Sequence, residues 1–85
     1  MSSKQRRTLE RMFSRPTPLA IRWADIASLL GAVGVEVLER SGSRVLLKKG
    51  DERIVVHRPH PGPETGRATI RDIAAFLDAI GVRPK

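Results

Sequence analysis

Two strand-like runs in this chain of 85 residues are separated by a link of only two residues, which limits the possible folds more than any other feature of the sequence. Gly50 and Asp51 separate "RVLLKK" (44–49) from "ERIVVH" (52–57), and both runs are rich in the aliphatic and β-branched residues typical of strands. Gly-Asp is one of the dipeptides favoured in two-residue hairpin loops. The sequence therefore predicts an antiparallel hairpin whose register is set by this loop.

Because side chains alternate between the two faces of a strand, this register gives the hairpin one apolar face and one basic face. The predicted apolar face carries Val45, Leu47, Ile54 and Val56, and the predicted open face carries Arg44, Leu46, Lys48, Arg53, Val55 and His57. Lys48 lies opposite Arg53, a like-charge pair that becomes reasonable if an anion binds there. Arg44 lies opposite His57, and this pair suits phosphate transfer, since a guanidinium stabilises developing negative charge while an imidazole moves a proton.

The two histidines of the chain also have simpler interpretations. An exposed histidine at the end of a strand, as predicted for His57, is commonly a polar surface residue. His60, in the proline-flanked loop that follows, either supplies a second acid or base or caps a turn. The two histidines of "HRPH" have no convincing third ligand nearby, so the sequence predicts no metal site.

Two helices are predicted before the hairpin. The first covers residues 3–13, and "RPTP" stops it because a residue that precedes a proline is pushed out of the helical conformation. One side of this helix carries an apolar stripe of Leu9, Met12 and Phe13, and the other side carries Lys4, Arg6, Arg7 and Arg11. The second helix covers residues 23–32 and ends before Gly34, which suits a left-handed C-terminal cap.

The remaining elements complete an α+β pattern. A strand is predicted at residues 35–40, and "RPHPGPETGR", with three prolines and two glycines, is predicted to have no regular structure. Thr69 is predicted to cap the last helix, which ends at Gly81. The expected fold is a three-stranded antiparallel sheet with helices on one face, plus an extra N-terminal helix.

Charge and composition narrow the possible partners. Sixteen Lys and Arg against nine Asp and Glu give a formal charge of +7, which favours an anionic partner such as nucleic acid because each neutralised phosphate releases counterions. The chain has no cysteine, so it forms neither a disulfide nor a thiolate metal site. No apolar run is long enough to span a membrane, and the first residues are too polar for a signal peptide. We therefore expect a cytoplasmic protein with no membrane partner and no cofactor.

Three short motifs resemble a known family. "GSR" opens a strand, "RPHPG" follows the third strand and "ATIRDI" opens the last helix, and this order is similar to that of the HicA (YcfA-like) toxins of HicA–HicB toxin–antitoxin pairs. The resemblance spans roughly residues 23–81. Its most specific run is "HPGPETGRATIRDI", in which His60, Gly62, Thr69 and Ile73 fall on matching positions and Ala68 replaces a glycine.

The resemblance implies a double-stranded-RNA-binding-domain-like fold of order α-β-β-β-α over residues 19–85, preceded by a basic helical extension over residues 1–18. It also implies a metal-independent mRNA interferase whose active site is covered by a HicB-like antitoxin. The family's catalytic histidine follows Gly-Ser at the start of the second strand, whereas here Gly42 and Ser43 are followed by Arg44. Arginine stays charged at neutral pH and cannot shuttle protons.

The leading hypothesis is therefore an endoribonuclease in which the imidazole comes from across the hairpin. The candidate catalytic residues are His57 as general base, Arg44 and His60. The candidate RNA-binding residues are Lys48, Lys49, Arg53, Arg58, Arg67 and Arg71. One alternative is a catalytically inactive HicA-like module that binds RNA or an antitoxin, and another is a DNA-binding regulator that works through the basic first helix.

Overall fold

The computed structural model describes residues 1–59 and 62–85, which form three helices and five strands. In chain order these elements are α1 (Ser3–Phe13), β1 (Ala20–Arg22), α2 (Trp23–Ala32), β2 (Glu36–Glu39), β3 (Arg44–Lys49), β4 (Glu52–His57), β5 (Glu64–Gly66) and α3 (Arg67–Ala79). Among the described residues, no helix is long and apolar enough to cross a membrane.

The main sheet is antiparallel, with strand order β2-β3-β4, and its hairpin has the predicted register. Arg44 is the partner of His57, and Lys48 is the partner of Arg53. Gly50 has a φ of +59°, a left-handed conformation that glycine adopts at little cost and that a tight loop of this kind requires. The prediction from the Gly-Asp link is confirmed.

The two faces of the sheet differ as expected. Val45, Leu47 and Val56 are buried in the core, while Val55 on the opposite face keeps 58% of its surface exposed. Helix α2 contacts β2, and α3 contacts β4, so the helices cover the apolar face only. The α+β fold with helices on one face of a three-stranded sheet is confirmed.

Helix α1 shares this core. Leu9 and Met12 are buried in the same cluster as the core residues of α2 and α3, and α1 packs against both of those helices. The helix begins with a capping box, because the Gln5 backbone N–H donates to Ser2 Oγ at 3.1 Å and the Ser2 N–H donates to Gln5 Oε1 at 2.8 Å. The N-terminal helix is therefore part of the packed fold.

The proline-rich loop departs from its prediction. Residues Glu64–Gly66, expected to have no regular structure, form β5, which pairs antiparallel with β1. Ile21 and Thr65 are partners in this small sheet, and each is only 1% exposed. The segment around β5 is rich in glycine and proline, which have low strand propensity. The strand therefore depends on pairing with a distant segment and on the burial of Ile21.

Helix α3 also begins earlier than predicted. Its first residue is Arg67 and its N-cap is Gly66, with no side-chain cap hydrogen bond, so the prediction that Thr69 caps the helix was wrong. The reason is that β5 runs directly into the helix and places Thr69 within the first turn. The predicted end is confirmed, since Gly81 has a φ of +84° just after the C-cap.

Candidate functional site

Arg44 and His57 meet at the open end of the hairpin. The Arg58 N–H donates to the Ser43 carbonyl at 2.7 Å, so Ser43 and Arg58 form a hydrogen-bonded pair of the antiparallel ladder. Hydrogen-bonded and non-hydrogen-bonded pairs alternate along such a ladder, and the side chains come closest in the non-hydrogen-bonded pairs. Arg44 and His57 form the next pair and therefore occupy the closer arrangement, on the face away from the helices.

The turn that precedes β3 positions the guanidinium of Arg44. Arg44 Nη2 donates to Ser41 Oγ at 3.0 Å, and Nε lies 3.5 Å from the Ser41 carbonyl oxygen. Gly42, between the two, has a φ of +70°, which lets the chain fold back over this short distance. A guanidinium has five N–H donors, so Arg44 keeps donors for an anion. The sequence-based prediction gave Ser41 no role, so its positioning of Arg44 was missed.

His57 is exposed at the end of β4. It lies on the rim of a shallow depression whose other walls include Thr65 and Gly66 of β5 and Thr69 of α3. None of the described residues makes a hydrogen bond or ion pair with its ring. The imidazole is thus accessible to a ligand. His60, the third candidate catalytic residue, lies outside the described residues.

Two of the six candidate RNA-binding residues lie on the open face of the sheet. Lys48 and Arg53 are cross-strand partners there, and neither side chain forms a hydrogen bond or ion pair with any described residue. On its other side Lys48 faces Glu36, because β2 pairs with β3. This acidic neighbour was missed, since the link 40–43 between β2 and β3 does not fix the register as the two-residue loop at Gly50 and Asp51 does.

Lys49 and Arg58 are engaged in structural contacts. Lys49 Nζ donates to the Val33 carbonyl at 2.6 Å, which places a positive charge at the C-terminal end of α2, where the helix dipole favours it. Arg58 Nη1 donates to Glu39 Oε2 at 2.8 Å in an exposed ion pair between β2 and the end of β4. Residues 49 and 58 point away from the open face, because they lie at the opposite positions of the strand alternation.

Arg67 and Arg71 of α3 hold the segment between α1 and β1. Arg67 Nε donates to the Thr17 carbonyl at 3.0 Å, and Arg71 Nε donates to Thr17 Oγ1 at 2.9 Å. Thr17 is only 1% exposed, so both hydrogen bonds are made to a buried residue. The structure therefore divides the six basic candidates into two on the open face that bond to no described residue and four that also stabilise the fold.

The open face as a whole consists of three rows that cross the sheet. Its central row is apolar and contains Leu38, Leu46 and Val55. One flanking row contains Glu36, Lys48 and Arg53, and the other contains Arg44 and His57. Among residues 1–59 and 62–85, no three His, Cys, Asp or Glu side chains are grouped so that they could hold a metal ion. This arrangement suits a phosphate-bearing ligand that contacts basic side chains on both sides of an apolar strip.

Comparison with known proteins adds one match. A family model described as "HicA toxin of bacterial toxin-antitoxin" matches residues 23–82, which contain α2, the main sheet, β5 and α3. Helix α1 and strand β1 precede the matched residues. Neither the curated proteins nor the solved structures that were compared with the chain contain a match.

Proposed function

The chain belongs to the HicA toxin family, which makes it a toxin of a toxin–antitoxin system with an antitoxin as partner, and we propose that it acts in the cytoplasm as a metal-independent endoribonuclease on mRNA. The observation that carries this proposal is the cross-strand pair of Arg44 and His57 on the open face. The family's usual catalytic histidine position, directly after Gly42 and Ser43, holds Arg44. His57 brings an imidazole to the neighbouring position of the ladder.

The proposed reaction is an internal transesterification. His57 removes the proton from a ribose 2′-hydroxyl, whose oxygen attacks the adjacent phosphorus, and Arg44 stabilises the negative charge that develops on the phosphoryl oxygens. The bond from phosphorus to the 5′-oxygen breaks, and His60 gives a proton to that oxygen. The products are a 2′,3′-cyclic phosphate and a 5′-hydroxyl, so no metal ion and no external nucleophile take part.

RNA binding in this proposal relies mainly on Lys48 and Arg53. Their charges lie side by side, a cross-strand arrangement that costs free energy in the isolated protein and is relieved when a phosphate binds between them. The other four basic candidates contribute less to RNA binding, because their side chains already donate to carbonyl, hydroxyl or carboxylate oxygens of the protein. These are Lys49, Arg58, Arg67 and Arg71.

The experiment is a cleavage assay on single-stranded RNA in EDTA, with the purified wild type and the variants His57→Ala, His60→Ala and Arg44→Ala. Arg7→Ala is the matched control, because Arg7 is exposed on α1, a helix that packs against α2 and α3. We expect cyclic phosphate ends from the wild type and the control, loss of cleavage with His57→Ala, and no cleavage of DNA, which lacks the 2′-hydroxyl.

A second candidate function is supported by the arginine at the usual histidine position. In this alternative, the chain is a HicA-like module that binds RNA or its antitoxin without cleaving RNA. Intact RNA after incubation with the wild type, together with binding that weakens steeply as salt rises, would favour this alternative. Cleavage that persists in His57→Ala would instead show that another residue is the general base.

A further inference from the structure

Strand β4 is an edge strand of the main sheet in the described part of the chain. The hydrogen bond from the Arg58 N–H to the Ser43 carbonyl fixes which residues of β4 bond to β3, so Arg53, Val55 and His57 direct their backbone N–H and C=O groups outward. No described residue hydrogen-bonds to these groups. Such an edge is a template for another strand, and Val55 at its centre is 58% exposed.

The sequence of β4 is complementary to itself in the antiparallel direction. If two copies pair about Val55, the outward backbone groups of Arg53, Val55 and His57 in one copy meet those of His57, Val55 and Arg53 in the second copy. Glu52 then lies opposite Arg58, so both ends of the paired strands carry opposite charges, and the two Val55 side chains meet at the centre. Opposite charges and β-branched pairs directly across an antiparallel ladder are stabilising.

The flank of α3 beside this edge is compatible with a second copy. A groove between β4 and α3 is lined by Glu52, Ile54, Val55, Asp72, Ala75, Phe76 and Ala79. Although the chain carries a charge of +7, the only charged residues in this lining are acidic. The Arg58 side chain of a second copy, whose Nη1 is bonded to Glu39 of its own chain, would bring its other N–H donors to this acidic edge.

From these features we propose that the chain forms a symmetric dimer through its β4 edges, which creates a six-stranded sheet and places Arg53 of each copy beside His57 of the other. Each imidazole is then flanked by Arg44 of its own chain and by Arg53 of the second copy. A phosphate next to His57 receives positive charge from both sides. The pairing itself stands independently of catalysis, whereas the role of Arg53 at His57 rests on the proposed function.

The pairing is tested without RNA, by sedimentation velocity or light scattering over a range of protein concentrations. We expect the wild type to approach twice the 9.4 kDa mass of one chain as its concentration rises. Val55→Lys places like charges opposite each other at the dimer axis and should give a monomer, as should Glu52→Arg and Arg58→Glu separately. The double variant Glu52→Arg, Arg58→Glu restores opposite charges and should dimerise again.

Arg7→Glu is the matched control, because it reverses a charge on the exposed side of α1 and should leave the dimer unchanged. A wild type that stays monomeric at every concentration would overturn the proposal. A dimer that resists Val55→Lys would overturn it too, because the copies would then meet through another surface. Far-ultraviolet circular dichroism of each variant separates a monomer that is folded from one that is not.

Complementation between two inactive chains tests the shared site. The Arg53→Ala chain still has His57, and the His57→Ala chain still has Arg53. A dimer with one chain of each kind therefore contains one complete site. If the monomers exchange freely in an equal mixture, half of the dimers contain one chain of each kind, and each of these has one of its two sites intact. About a quarter of the wild-type cleavage should therefore return. No recovery in a mixture that has been shown to dimerise would contradict the role of Arg53 and leave the pairing intact. A wild type that dimerises but cleaves no RNA would overturn the proposed function alone.

Discussion

Arg44 and His57 are direct cross-strand partners, and Ser41 holds the guanidinium of Arg44 from the preceding turn. The arginine is therefore oriented before any ligand arrives, which lowers the entropic cost of using it to stabilise charge. The neighbouring imidazole lies one strand away from the position where the HicA family usually has its histidine. This relationship makes Ser41 part of the proposed site although it carries no charge.

Ser41→Ala should reduce RNA cleavage without unfolding the protein. The change removes the hydroxyl that accepts from Arg44 Nη2, and a single hydrogen bond of this kind is worth about 0.5–1.5 kcal/mol, or roughly a 2- to 12-fold change in rate. Single-turnover cleavage assays provide the measurement. The matched control is Ser43→Ala, because no side-chain hydrogen bond to Ser43 occurs among the described residues. Equal effects of the two substitutions would contradict the positioning role of Ser41.

The adjacent lysines of β3 should respond differently to replacement. Lys48→Ala should weaken RNA binding and lower the slope of log K against log salt by about 0.7 for one lost phosphate contact on a single strand. Lys49→Ala should leave that slope nearly unchanged and lower the free energy of unfolding by roughly 0.3–1 kcal/mol, since Lys49 stabilises the C-terminal end of α2. Titrations at several salt concentrations and urea unfolding measure the two effects.

Met12→Ala should strongly destabilise the whole protein. Met12 of α1 is 0% exposed within the shared core, and truncation of a buried methionine to alanine costs about 2–5 kcal/mol. Glu10→Ala is the control, since it changes an exposed position of the same helix and should stay within about 0.5 kcal/mol. Urea unfolding should show one transition for both variants. A separate early transition in Met12→Ala would mean that α1 unfolds independently of the rest.

The observed cap of α1 and the predicted cap of α3 should also be separable by mutation. Ser2→Ala removes one half of the capping box of α1 and should cost about 0.5–2 kcal/mol. Thr69→Ala should be nearly neutral, because Gly66 is the N-cap of α3 and Thr69 lies inside the helix. Thermal unfolding of both variants measures this difference. A loss of stability in Thr69→Ala as large as that in Ser2→Ala would mean that Thr69 caps the helix after all.

Much of the fold was predictable because its signals are local. The two-residue link at Gly50 and Asp51 set the register of the hairpin, and with it the pairing of Arg44 with His57. The left-handed glycine at 34 marked the end of α2, whose predicted bounds of 23–32 are those observed. Each of these signals lies within a short stretch, where the geometry of the backbone leaves few alternatives.

Tertiary structure alone decided the features that join distant segments. Strand β5 exists because Thr65 pairs with Ile21, whereas the prolines and glycines of the segment 58–67 that contains it do not indicate a strand. The same pairing moves the start of α3 to Arg67. Long-range contacts also draw Lys49 to Val33 and Arg71 to Thr17, so these basic side chains stabilise the fold as well as adding charge. Charge and spacing identified the basic residues. The carbonyl and hydroxyl oxygens that bond to them lie in other elements, so these contacts form only in the folded chain.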